Sequence, residues 1–280
     1  MSEGDTMADR ADGGRVSPFE MGLPDGEFAR ECFGLIAEEI ESRETEGQDP
    51  GAFLLLGQVG RAVRELREGE GGAELLRTMG AFLFHAYHFD RAGRPLYEIE
   101  KGTARYLVES NPVPEGWDHS LPAPSGYLRL PEYLFWTRPD EEGPAEAVDG
   151  IFWTASSGAS LSLLVVTGMR PDRAGFSVIP LDPVPMADAG AWIERPAREE
   201  GVDFETTLPG GEIDRLYSLE TAGEVLKLSA RALGYIQTVP GAVAEPEEGA
   251  GAGDETAGDG VPDAPDPVVR VHRVRLSGER

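Results

Sequence analysis

His85 and His88 stand three positions apart in the segment HAYHFD, with Asp90 close behind. Two imidazoles at that spacing can share one face of a helix, and a metal needs lone pairs that converge. A zinc protease helix instead carries its histidines at i and i+4 with a glutamate between them. Two donors also fall short of a full ligand set, so no metal is expected and His85 and His88 are only a candidate pair. A histidine near a helix C-terminus is favoured anyway, because the last carbonyls and the helix dipole attract it.

Arg170 and Arg173 flank a turn in TGMRPDRAGFS, between Gly168 and Gly175. Two guanidiniums on permissive backbone are the candidate anion site, suited to a carboxylate or phosphate. The competing reading is pairing with Asp172 and other surface acids. Neither this loop nor the Pro209-Gly210-Gly211 turn has the spacing of a nucleotide-binding phosphate loop. Cys32 lies on the apolar stripe of a helix and reads as a small hydrophobe with no activating base. The hydroxyl-rich stretch Thr154, Ser156, Ser157, Gly158, Ser160 has strand-like flanks. It reads as a hairpin turn, since a nucleophilic serine favours a strand-to-helix elbow.

A chemical role near the sheet would have to draw on Arg170, Arg173, Asp203, Glu205, Glu212, Asp214 and His119. With 51 acidic side chains in 280 residues, close carboxylate pairs arise without meaning. Trp136 and Trp153 are the aromatic candidates for contact with a partner. Both sit in aromatic strands where alternation sends Phe135 and Trp136, and Phe152 and Trp153, to opposite faces. The other interaction candidates are Arg270, Arg273 and Arg275 in the basic segment VVRVHRVRL.

The elements that must position these groups follow from periodicity and punctuation. Residues 1–20 are small and polar and read as a disordered arm. Residues 21–110 read as a helical bundle. Asp25 caps a helix with Phe28, Cys32, Phe33, Ile36 and Ile40 on its stripe. Asp49-Pro50 opens a second with Phe53, Leu56, Val59, Val63 and Leu66. A third carries Leu75, Leu76, Met79, Phe82, Leu83 and Ala86, and a fourth Leu96, Ile99, Thr103, Tyr106 and Leu107. Residues 111–125 form a proline-rich linker. Residues 126–238 alternate through about four strands with turns at 138–144, 156–158 and 169–175, then VDFETTL as a further strand, then a helix over 218–237. The stretch 239–267 carries eight acids and no base and reads as a disordered linker, and 268–280 as a basic strand-like tail.

The fold class expected is therefore α+β. A helical bundle packs with an antiparallel sheet of about four to six strands, a helix returns onto the sheet, and an acidic linker leads to a C-terminal strand.

Charge bounds the function. The net charge is −26 and the pI 4.4. Such a chain does not neutralise phosphates, so nucleic acid is not an expected partner. No apolar run reaches the ~18 residues of a membrane span, so no membrane is expected either. One cysteine and no secretory leader point to the cytoplasm. No cofactor is expected. The leading reading is a non-catalytic protein-interaction or regulatory module whose partner is another protein. The alternative is a hydrolase or transferase with an anion-binding arginine loop. The tether to the basic tail has a coil reach of about 30 Å, so the tail is expected to dock on its own sheet.

Overall fold

A computed structural model describes residues 15–46, 73–110, 116–138, 143–155, 160–169, 175–189, 191, 204–207, 213–219, 221–244 and 269–276. Of the sequence expectations, the second helix over Phe53–Leu66, the turns at 156–158 and 209–211, and most of the acidic linker lie outside these residues.

The chain enters through a short helix, α1 (Pro18–Gly22), whose first residues, Pro18 to Glu20, fall in the stretch expected to be a disordered arm. Ser17 and Glu20 close a capping box: Glu20 N–H donates to Ser17 Oγ (3.2 Å) and Ser17 N–H donates to Glu20 Oε2 (2.9 Å). Phe19 then reaches the core, which residue-by-residue polarity had hidden. Helix α2 (Gly26–Thr45) starts at Asp25, whose carboxylate accepts from Glu27 N–H and Phe28 N–H. Of the expected stripe it buries Cys32 and Ile36, with Phe28, Phe33 and Ile40 partly buried, and it buries Ala29 as well. Helix α3 (Ala73–Arg91) ends in a turn where Gly93 and Arg94 have positive φ (82° and 56°).

The expected fourth helix is corrected in its first half. Residues Pro95–Ile99 are a strand, β1, and only Lys101–Glu109 is helical (α4). Pro95 denies a helix its donor, and the strand buries Leu96 and Tyr97 on opposite faces. The spacing of Leu96 and Ile99 suits one helical turn as well as a strand buried on both sides, and tertiary cover decided between them.

The strands are β2 (Ser125–Arg129), β3 (Phe135–Thr137), β4 (Glu146–Ala155), β5 (Ser160–Thr167), β6 (Ser177–Pro180) and β7 (Val184–Pro185). They continue with β8 (Phe204–Thr207), β9 (Ile213–Ser218) and β10 (Arg270–Val274). With β1 they form a ten-stranded sheet in the order β10-β1-β2-β4-β3-β9-β8, with β5 on the other side of β4 and β6 and β7 beyond it. The sheet is larger than expected and mixed: β1 runs parallel to β2 and β10, and β3 to β9, while the other pairs are antiparallel. The segment GYLRLPEYLFWT, expected as one strand, breaks at Pro131, which has no N–H to give a ladder. Its halves, β2 and β3, pair with different stretches of β4.

Alternation along the central strands feeds two cores. Leu96, Tyr127, Phe152 and Leu164 face α1–α3, while Tyr97, Leu128, Trp153 and Val165 face α4 and α5 (Ala222–Thr238). The described N-terminal helices are thus one layer on the sheet, and the returning helix α5 belongs to the layer on the opposite face. Among the described residues no helix is long and apolar enough to cross a membrane.

Gly150 shows how closely the centre is filled. A Cβ there would lie 2.3 Å from the Leu128 carbonyl oxygen and 2.5 Å from Tyr127 Oη. Backbone cannot yield as a side-chain tip can. Gly150→Ala is expected to lower unfolding free energy by about 3 kcal/mol, read from denaturant midpoints at unchanged slope.

Candidate functional site

His85 turns inward from α3 to β4, where its Nδ1 lies 2.9 Å from Thr154 Oγ1. Ser125 Oγ lies 3.1 Å from the same hydroxyl and donates to the Trp153 carbonyl at 2.8 Å. Counting protons orders this chain. Ser125 spends its single proton on the carbonyl, so Thr154 donates to Ser125, and His85 Nδ1–H donates to Thr154. Burial lowers the His85 pKa to about 3, with His88 adding to the effect. The His88 ring packs on Phe84 and Tyr87 at 4.6 and 5.0 Å. Burial, then Arg91, brings its pKa to about 4. Among the described residues no group of three or more His, Cys, Asp or Glu could hold a metal. Cys32 is buried, and burial followed by Glu31 pushes its thiol up to about 11, so it packs as a hydrophobe.

A second polar cluster escaped the sequence reading. The ladder between β4 and β5 shifts register between Val148 and Gly150, leaving Asp149 at a bulge. Its Oδ2 accepts the Tyr127 phenol at 2.5 Å, and its Oδ1 pairs with the Arg15 guanidinium. Arg15 also donates to the Leu130 carbonyl at 3.0 Å and lies 3.1 Å from Glu132. Burial, then the Asp149 charge, raises the Tyr127 pKa well above its usual value, so the phenol keeps its proton and donates. The available signal was Asp149-Gly150 inside an otherwise apolar strand, where a charge beside a glycine marks a bulge. On the same sheet face, paired positions set Arg273, Glu98 and Arg129 in a row of alternating sign across β10, β1 and β2.

Of the interaction candidates, Trp153 is fully buried and donates Nε1–H to the Ala123 carbonyl, so it is a core residue and not a contact surface. Trp136 is half-buried on β3 and donates to the Tyr133 carbonyl at 2.8 Å. Tyr133 itself is 49% exposed, and the two rings lie 6.3 Å apart. His119 packs edge-on to Trp117 at 5.2 Å. Arg170, Arg173, Ser156, Ser157, Asp203 and Glu212 lie outside the described residues, so the loop that Arg170 and Arg173 would form is not placed.

Arg270, Arg273 and Arg275 are exposed on and just past β10, which forms one end of the strand order. The strand is held on its inner side: Arg270 N–H donates to the Arg94 carbonyl, Glu100 N–H to the Val274 carbonyl, and His272 stacks on Tyr97 at 4.9 Å. The hydrogen bonds alternate, so Arg270, His272 and Val274 turn their backbone groups toward β1. Val271, Arg273 and Arg275 turn theirs outward. Ala244 N–H donates to the Arg273 carbonyl and Arg275 N–H to the Ala242 carbonyl, covering that end of the edge. Val271, at 39% exposure, presents its N–H and carbonyl outward beyond that cover. Among the described residues no strand pairs with it there.

No protein-family model matches the chain, and no curated protein matches it.

The buried histidine carries a pH signature. A folded-state pKa below the unfolded value means that the unfolded chain takes the proton first. The stability His85 contributes is therefore full above pH ~6.5 and falls as pH drops toward the folded value near 3. Between pH 7 and 5 the thermal midpoint is expected to fall, and His85→Gln, which keeps a donor but does not titrate, should flatten the slope.

Proposed function

We propose that this protein is a non-catalytic interaction module that adds an extended, acidic segment of a partner protein to its C-terminal edge strand around Val271, where no described strand pairs. The observation that supports this reading most is β10 itself. An outward N–H and carbonyl at Val271 are flanked by the exposed side chains of Arg270 and Arg273 on a body whose net charge is strongly negative. Backbone pairing at an edge supplies affinity, and the flanking side chains choose the partner. A second copy of β10 would set arginine against arginine, and like charges placed opposite each other disfavour that pairing. An acidic strand meets the arginines with opposite charge, at distances where salt screens the attraction.

The remaining polar groups support a structural role. The Ser125–Thr154–His85 chain and the Tyr127–Asp149 pair are buried, with their protons spent on one another and on the Trp153 carbonyl. The single cysteine fits a reducing cytoplasm as well.

Val271→Pro separates edge pairing from folding. It removes only the outward N–H, and proline is tolerated at a sheet edge. Fluorescence anisotropy with a labelled peptide alternating glutamate and valine is expected to show salt-sensitive binding. Val271→Pro should abolish it with the thermal midpoint preserved, and Arg270→Glu with Arg273→Glu should weaken it about tenfold or more. Equal binding by the wild type and Val271→Pro would sink the proposal.

A further inference from the structure

Arg15 lies 115 residues from Leu130 and 134 from Asp149 in the chain, yet its guanidinium is read on every edge. Nη1 donates to the Leu130 carbonyl at 3.0 Å, Nη2 pairs with Asp149 Oδ1, and Nε lies 3.1 Å from Glu132 Oε1. Three nitrogens of one planar group therefore meet three acceptors from two different parts of the sheet. That is the recognition geometry of a guanidinium, which an ammonium cannot reproduce.

The cradle owes little to its occupant. Asp149 is placed by the β4 bulge, and its side chain is only 4% exposed. Its second oxygen is held by the Tyr127 phenol, and its carbonyl accepts Leu130 N–H at 2.8 Å. Glu132 sits in the tight turn between β2 and β3, where Leu134 N–H donates to the Pro131 carbonyl at 3.3 Å. Gly150 leaves the room that the Tyr127 ring needs to reach Asp149.

Arg15, in contrast, stands upstream of the α1 cap. Its neighbours from Ser17 onward are anchored separately by the capping box and by Phe19, which packs on Phe89 at 5.7 Å and under the Arg94 guanidinium at 4.5 Å. Arg15 precedes both anchors, so neither the capping box nor Phe19 fixes its side chain. With Arg15 gone, the carboxylates of Asp149 and Glu132 outweigh Arg129, the other described cation that acts on Tyr127 there, by a single negative charge.

The geometry points to a guanidinium-recognition site, built from Asp149, Leu130 and Glu132 and filled in cis by Arg15, which accepts an arginine side chain from a basic segment of a partner when Arg15 swings away. The −26 charge of the chain draws such a segment in. The site does not involve β10, so it stands or falls separately from the edge-strand proposal.

The test uses the full chain with Arg15→Ala and two probes, N-acetyl-arginine amide and N-acetyl-lysine amide, with the thermal midpoint as readout. Arg15→Ala is expected to melt lower than the wild type and to be restored by the arginine probe. The lysine probe should act at least about tenfold more weakly. The wild type, whose site is filled, should respond little, and Asp149→Asn in the Arg15→Ala background should lose the response. Equal rescue by both probes, no rescue by either, or rescue that survives Asp149→Asn would each overturn the proposal. Should Arg15→Ala fail to fold, Arg15→Lys takes its place, since its ammonium keeps one contact and leaves the others to the arginine probe. The same three results would overturn the proposal there.

Discussion

Phe152 and Trp153 are neighbours in the chain, lie on opposite faces of the sheet, and are both at 0% exposure. A strand can hold two such residues side by side only if each face has its own apolar cover, because alternation leaves one ring on each side. That requirement shapes the molecule. Phe152 receives Phe82 and Phe89 from α3, at ring distances of 6.3 and 5.5 Å. Trp153 receives Tyr97 at 5.7 Å on the face that α4 and α5 close. Large aromatics dominate core energetics, so both helical layers are tied to β4 by the same two adjacent positions.

Close burial then dictates where polar groups can go. His85, Thr154 and Ser125 enter the interior as a chain in which each donor meets an acceptor, since an unmade bond there costs more than a made bond gains. Asp149 enters at the bulge, where its carboxylate is met by a phenol on one oxygen and a guanidinium on the other. A buried pair of that kind contributes little net stability against an apolar substitute, while loss of one partner is expensive. Arg15 and Asp149 are therefore more informative as a recognition geometry than as a source of stability.

The β10 margin of the sheet follows the same physical terms. There residues 242–244 cover half of the strand's outer backbone, and among the described residues no strand pairs with the other half. Exposed charge on an edge strand is the ordinary protection against unwanted pairing, and it also selects by sign what can pair. A protein with 51 acids and 25 bases places three of its arginines, Arg270, Arg273 and Arg275, within this one short segment.

Local signals determined much of this without tertiary information. Asp25 announced the start of α2, the stripe through Cys32 and Ile36 announced its buried face, and the aromatic alternation at Phe152-Trp153 required cover on both sides of the sheet. These are read within one or two turns or a few strand residues, where backbone geometry ties spacing to direction. The tertiary structure alone decided the rest. Leu96–Ile99 became a strand because β2 and β10 pair with its two edges and the helical layers bury both its faces. Trp153 became core while Trp136 stayed half-exposed because only one of them lies under α5 and its neighbours. Arg15 found Asp149 because the bulge turned that carboxylate toward a capped turn more than a hundred residues upstream. Contacts at that separation leave no periodic trace in the chain, because they depend on which layers meet and not on which residues adjoin.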